Sequence, residues 1–152
     1  MVMSQNYWVV FCKGSIDAAD FLSKFTDGNE FVGSIQQFTN SEIFVAGLPK
    51  VLEMEITGLG FALACDFLKE AGWPQYAKAD THTKKLLEAV GFSNGSDYGT
   101  FKAMLQVAKH IDESPYRVYK VLWLMGSGRL YNKNLKIDTS RDDFLKYYRQ
   151  EI

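Results

Sequence analysis

The chain has 152 residues, 47% hydrophobic and 23% charged, with only 3 Pro and 12 Gly, which excludes a disordered or collagen-like polymer and points to one compact domain. Its 17 basic and 18 acidic residues leave a net charge of -1, so no basic coat binds it to nucleic acid and any such contact must be local. Two cysteines, Cys12 and Cys65, and two histidines, His82 and His110, are too few for a disulfide framework or a four-cysteine cluster, so two buried thiols and no metal or iron–sulfur cofactor are expected.

The first residues carry no basic run, and the apolar stretch 7–11 is too short for a signal-peptide core or a membrane span. A cytoplasmic protein with no membrane partner is the resulting expectation. The same stretch has the composition of a strand. Ala18, Phe21, Leu22 and Phe25 then make a helical stripe behind Asp17, read as its N-cap, and Phe31, Ile35 and Phe38 begin another. A third stripe, Phe44, Leu48 and Val51, contains Pro49, which marks either a first-turn position or a kink.

Phe61, Ala64, Cys65 and Leu68 line one side of the next helix, with Asp66, Lys69 and Glu70 opposite, and Gly72 with Pro74 stops it. Thr83, Leu86, Leu87 and Val90 repeat the pattern after Asp80, with Gly91 as the stop. Phe101, Met104, Leu105 and Ala108 repeat it again, and Val118, Val121, Leu122 and Met125 follow Ser114-Pro115. Gly126-Ser127-Gly128 breaks the chain, residues 130–137 have the pattern of a small hairpin around Asn132-Lys133-Asn134, and a last helix is capped by Thr139 or Ser140. The fold class is all-α, a single domain with no internal repeat and no low-complexity segment.

The segment with chemical content is 56–92. Gly58-Leu59-Gly60 joins two helical stripes, spanning about 51–71 together, and is followed by small residues at Ala62 and Ala64. Glycines at such a turn permit positive φ and leave no Cβ in front of the backbone amides, so the turn can hold a phosphate without side-chain charge. Asp80, at the end of a Gly/Pro-containing loop over about 72–80, precedes an amphipathic helix. On physical grounds alone it is as readily a plain N-cap as a catalytic carboxylate, and the two roles can coexist.

Gly58-Leu59-Gly60-x-x-x-Ala64, then Gly72-Trp73-Pro74, then Asp80-Thr81-His82 resembles the helix-hairpin-helix DNA glycosylases of the endonuclease III type, in the order and spacing of hairpin, loop and catalytic aspartate. The resemblance covers about a quarter of the chain. It implies an all-helical glycosylase-like core, DNA as partner and duplex as its form, and Asp80 stabilising the sugar's developing positive charge while the base is extruded. It further implies Gly58, Leu59, Gly60, Lys78 and His82 as DNA contacts, and it allows a monovalent cation at the hairpin carbonyls.

Relatives that also cut the strand carry a lysine two residues after the second glycine, where this chain has Ala62. The implied activity is therefore monofunctional hydrolysis of an N-glycosidic bond, without lyase chemistry. Lys78 as a substitute amine is outweighed by an exposed loop lysine that touches phosphate or nothing. Trp73 and Tyr76 are candidate base-stacking residues, while Trp123 on its stripe reads as core. The alternative to an enzyme is a helix-hairpin-helix DNA-binding module that has lost its base pocket, or a subunit of a larger complex.

Overall fold

The computed structural model describes residues 3–128 and 141–150, with side chains from residue 7 onward. The described residues form eight helices and no strand: α1 (Met3–Leu22), α2 (Gly28–Thr39), α3 (Gly47–Glu55), α4 (Phe61–Glu70), α5 (Thr81–Ala89), α6 (Asp97–His110), α7 (Pro115–Ser127) and α8 (Arg141–Gln150). The chain divides into two compact units, Met1–Phe67 and Leu68–Ile152, where the composition had suggested one domain.

The first unit contains α1, α2, α3 and the opening turns of α4. Residues 7–11 are helical, not extended. A short apolar run suits a buried strand or a helix equally well, and the helical periodicity downstream through Phe21 decides it. Asp17 lies inside α1 and caps nothing there; its Oδ2 instead accepts the Thr57 N–H at 3.0 Å. The Thr57 hydroxyl and that N–H together hold the Asp17 carboxyl below its ordinary value of 3.8. Asp27 caps α2, accepting from the Asn29 and Glu30 amides. Pro49 stands in the first turn of α3, where a missing N–H is harmless, so α3 is unkinked by it.

The core of this unit gathers Phe21, Ile35, Val45, Leu48 and Leu52. Phe21, Phe25 and Phe31 meet edge to face, with centroids 5.2 to 6.5 Å apart. Tyr7, Trp8, Val9 and Phe11 on α1 are each more than half exposed, and Cys12 is exposed as well. The expectation of two buried thiols therefore holds for Cys65 alone, because α1 turns that part of its surface to solvent.

The second unit contains the end of α4 and α5 to α8. Helices α5, α6 and α7 pack against one another, and α8 against α7. Ser96 and Ser114 cap α6 and α7 with their hydroxyls, and Pro115 opens α7. Gly126 does not break the chain: α7 continues through it to Ser127 and ends at Gly128, whose φ of +64° is the left-handed stop. Buried Tyr76, Leu86, Phe101, Met104 and Val118 form the centre of the unit. Tyr148 donates to the Val90 carbonyl at 3.0 Å, tying α8 to the end of α5. The expected hairpin at 130–137 and the caps Thr139 and Ser140 lie outside the described residues.

Candidate functional site

The turn between α3 and α4 belongs to the first unit. Leu59 N–H donates to the Ile56 carbonyl at 3.1 Å, and Gly58, third of the four residues, has φ of +82°. With Thr57 on the negative side, this is a type II turn, whose third position requires glycine. A Cβ at Gly58 would also stand 2.8 Å from a methyl of Val10. Gly60 differs: its φ is not positive, a Cβ there meets nothing within 4 Å, and its carbonyl accepts the Ala64 N–H as α4 begins. Gly58 is thus a conformational glycine, and Gly60 leaves open space in front of the helix start. The first amides of any helix have no acceptor one turn back, so this is where an anion would be received.

Helix α1 fixes the turn from behind. A Cβ on Gly14 would lie 2.4 Å from the Thr57 carbonyl oxygen, so α1 and the turn approach as closely as glycine permits. Asp17, one helical turn further on, accepts the Thr57 amide. Leu59 contributes to an apolar cavity of about 520 Å³ within this unit, walled also by Val10, Phe11, Leu22, Phe31 and Leu63.

In the second unit, the loop leaving α4 turns at Gly72, whose φ is +106°. The loop returns through a Trp73 N–H to Leu68 carbonyl bond of 3.1 Å and is tied to α7 by the Tyr116 N–H on the Pro74 carbonyl at 3.0 Å. Trp73 is half-buried in this loop. Tyr76, expected as a stacking candidate, is completely buried, with its ring stacked on Phe101 at 6.4 Å. An aromatic ring without an accessible face cannot receive a base, so that expectation is corrected: Tyr76 is core. The signal that misled was its position beside Trp73 in a Gly/Pro loop; the buried Ala77 and Ala79 after it show that the loop runs inward there.

The loop ends at Asp80, which is half-buried. Its Oδ1 accepts the His82 and Thr83 amides, both at 2.9 Å, which makes it the N-cap of α5. The buried Thr83 hydroxyl lies 3.2 Å from the same oxygen and 3.1 Å from the Asp80 carbonyl. The second oxygen, Oδ2, lies 3.5 Å from the Tyr119 hydroxyl of α7. One carboxylate oxygen is therefore engaged in holding the helix, and the other faces a buried phenol. Lys78, also half-buried, contributes its carbonyl to this corner, accepting from the Asp80 N–H at 3.0 Å.

His82 is exposed and rests on α7. Its Nδ1 is 3.1 Å from the Gly126 carbonyl, and its ring meets Trp123 edge to face at 6.3 Å. A carbonyl only accepts, so Nδ1 carries a proton. Gly126 makes the approach possible, since a Cβ there would lie 3.0 to 3.3 Å from the Cβ, carbonyl carbon and carbonyl oxygen of His82. Trp123 is half-buried and serves as the platform for His82.

The structure thus brings Asp80, His82, Tyr119, Trp123 and Gly126 together where α5 starts beside α7. Sequence reasoning missed Tyr119 and Gly126; the available signal was a tyrosine on a buried helical stripe, whose hydroxyl needs a partner. An apolar cavity of about 650 Å³ in this unit is lined by Leu86, Val90, Phe92, Val121, Met125 and Phe144 and does not include Asp80 in its wall. Among the described residues no group of His, Cys, Asp and Glu is placed to hold a metal ion, and no helix is long and apolar enough to cross a membrane. Comparison with family models, curated proteins and solved structures finds no match for this chain.

Proposed function

We propose that the protein binds duplex DNA through the Gly58-Leu59-Gly60 turn and releases a damaged or mismatched base by monofunctional hydrolysis of its N-glycosidic bond. The observation that carries the reading is the state of Asp80: a half-buried carboxylate at a helix start, one oxygen engaged in capping and the other 3.5 Å from a buried phenol. A carboxylate fixed in this way does not have to reorganise as charge develops, which is the property that stabilises an oxocarbenium-like sugar. Water then supplies the oxygen at the sugar carbon, the carbon–nitrogen bond breaks, and the base departs with the bonding pair and a proton. Ala62 in place of an amine leaves water as the nucleophile.

Phosphate binding is assigned to the amides at the start of α4; Lys78 and His82, in the second unit, are separate expected DNA contacts. The absence of bulk positive charge is then no obstacle, because amide dipoles do the work of lysines. A hairpin-bound monovalent cation and the cytoplasmic setting remain expectations of the same reading.

The experiment separates binding from chemistry. Gly60→Ala adds a methyl into open space, so stability is unchanged while affinity for duplex falls about tenfold if phosphate approaches there. Asp80→Asn keeps the capping oxygen, so the variant folds and binds duplex while base release is lost. If no lesion or mismatch in a broad panel is released by the wild type, the enzymatic reading fails. Asp80 lies outside the wall of the 650 Å³ cavity of its unit, and this favours a second reading, a non-catalytic DNA-binding module. Duplex binding sensitive to Gly60→Ala, without base release by any protein, would select it.

A further inference from the structure

Lys69 has a side chain only 1% exposed, an arrangement that is costly for an ammonium unless compensated. The compensation comes from the Glu70 carboxylate and from two aromatic faces, with its Nζ 5.6 Å from the Tyr116 ring centroid and 5.1 Å from that of Tyr119. Lys120 Nζ shares the same two rings, at 5.1 and 5.6 Å, and lies 3.9 Å from Glu70 Oε1. Two ammoniums therefore fall within cation–π reach of one phenol. They draw electron density from the ring, and a phenol so polarised is a stronger hydrogen-bond donor.

The donor in question is the Tyr119 hydroxyl, 3.5 Å from Asp80 Oδ2, on a residue 5% exposed. That distance lies at the long end of hydrogen bonding, the regime in which donor strength decides whether the contact is kept. The two amides and the Thr83 hydroxyl gather on Oδ1, and the Tyr119 hydroxyl faces Oδ2, so the two sides of the carboxylate are engaged by different elements. We infer that Tyr119, polarised by Lys69 and Lys120, is a positioning residue that sets the orientation of the Asp80 carboxylate. Its effect on base release rests on the function proposed above; the coupling between the two side chains does not.

The test is a double-mutant cycle in urea unfolding with wild type, Tyr119→Phe, Asp80→Asn and the double variant. Tyr119→Phe keeps both ring faces and removes only the hydroxyl. Independent substitutions add to within about twofold in the unfolding equilibrium constant. Tyr119→Phe is expected to cost more than threefold more in the wild-type background than in the Asp80→Asn background, and a difference of threefold or less overturns the inference. Should Asp80→Asn fail to fold, amide exchange in Tyr119→Phe alone replaces the cycle. Exchange at His82 and Thr83 is then expected to accelerate at least threefold relative to the remaining helices, and unchanged exchange overturns the inference.

A single-turnover assay on a released base reads the catalytic consequence. Tyr119→Phe is expected to lower the rate at least tenfold while duplex affinity stays within twofold, a split that a merely structural role would not give. An unchanged rate overturns the effect of Tyr119 on base release. Absence of base release by the wild type overturns the base-excision reading instead, and the unfolding cycle then decides the positioning role by itself.

Discussion

Gly14 is the position at which the packing of α1 on the hairpin turn can be tested most sharply. An alanine Cβ there would stand 2.4 Å from the Thr57 carbonyl oxygen. Restoring an ordinary carbon–oxygen separation of ~3.3 Å needs a displacement of ~0.9 Å. The obstructing atom is backbone, and the same residue is tethered through its amide to Asp17, so the strain cannot be relieved by a side-chain rotation. Overpacking of this kind costs ~2–3 kcal/mol, against which alanine gains ~1 kcal/mol over glycine in helix propensity. The net expectation for Gly14→Ala is a loss of ~1–2 kcal/mol. Gly33, inside α2, is the internal control: its Cβ would meet nothing within 4 Å, so Gly33→Ala should add ~0.5–1 kcal/mol. Urea unfolding with linear extrapolation measures both. The reasoning is refuted if Gly14→Ala is as stabilising as Gly33→Ala, because α1 then does not approach the turn.

Three further outcomes follow from the geometry. Gly58→Ala places a Cβ on a residue with φ of +82° and should destabilise by ~1–2 kcal/mol, read by the same unfolding assay, with no loss speaking against the type II turn. The Asp17 carboxyl is held below its ordinary value of 3.8 by the Thr57 hydroxyl and amide, so its contribution is complete above pH 3.8 and disappears as pH falls through the lowered value. Asp17→Asn should therefore flatten the acid limb of a stability profile below pH 3.8, and an unaltered limb would show that the carboxylate is not bound to Thr57. For His82, nitrogen-resolved NMR should find the neutral ring protonated on Nδ1; protonation on Nε2 would mean that the Gly126 carbonyl is not its acceptor.

The helices from α4 to α7 were readable because most local signals agreed; the exceptions are Lys69, assigned to the polar side of α4 but buried, and Val121, assigned to the stripe of α7 but exposed. Asp80 and Ser114 stand where caps belong, the stripes Phe61-Ala64-Cys65-Leu68 and Thr83-Leu86-Leu87-Val90 are buried largely as spaced, and Gly91 and Gly128 adopt positive φ at the stops. The failures in α1 have a common physical source. Residues 7–11 are apolar at every position, which erases the period that distinguishes helix from strand. Asp17 looked like a cap because a carboxylate before an apolar stripe usually binds the next amides. Here the amide it accepts belongs to Thr57, forty residues on, and no local pattern encodes that partner. Gly14 likewise reads as a helix weakness until Thr57 is seen against it.

The candidate site divides along the same line. Asp80 announces itself in sequence as a cap because capping is a local event, whereas His82 stands out only through the Asp80-Thr81-His82 segment of the resemblance. Tyr119 does not, since its relation to Asp80 depends on α7 lying against the start of α5, where Gly126 leaves a close fit to His82. Tyr76 fails in the opposite direction: a loop address suggested exposure, whereas Phe101 and the inward run of Ala77 and Ala79 bury it. A carboxylate used only to cap α5 would be served by Oδ1 alone, and its second oxygen would need nothing but water. The phenol opposite Oδ2, with two ammoniums on its ring, is an expensive way to supply that contact. Such an environment is better explained by a need to fix the direction of the carboxylate than by a need to end a loop, and this asymmetry between the two oxygens is why Asp80 is the residue on which a functional experiment should begin.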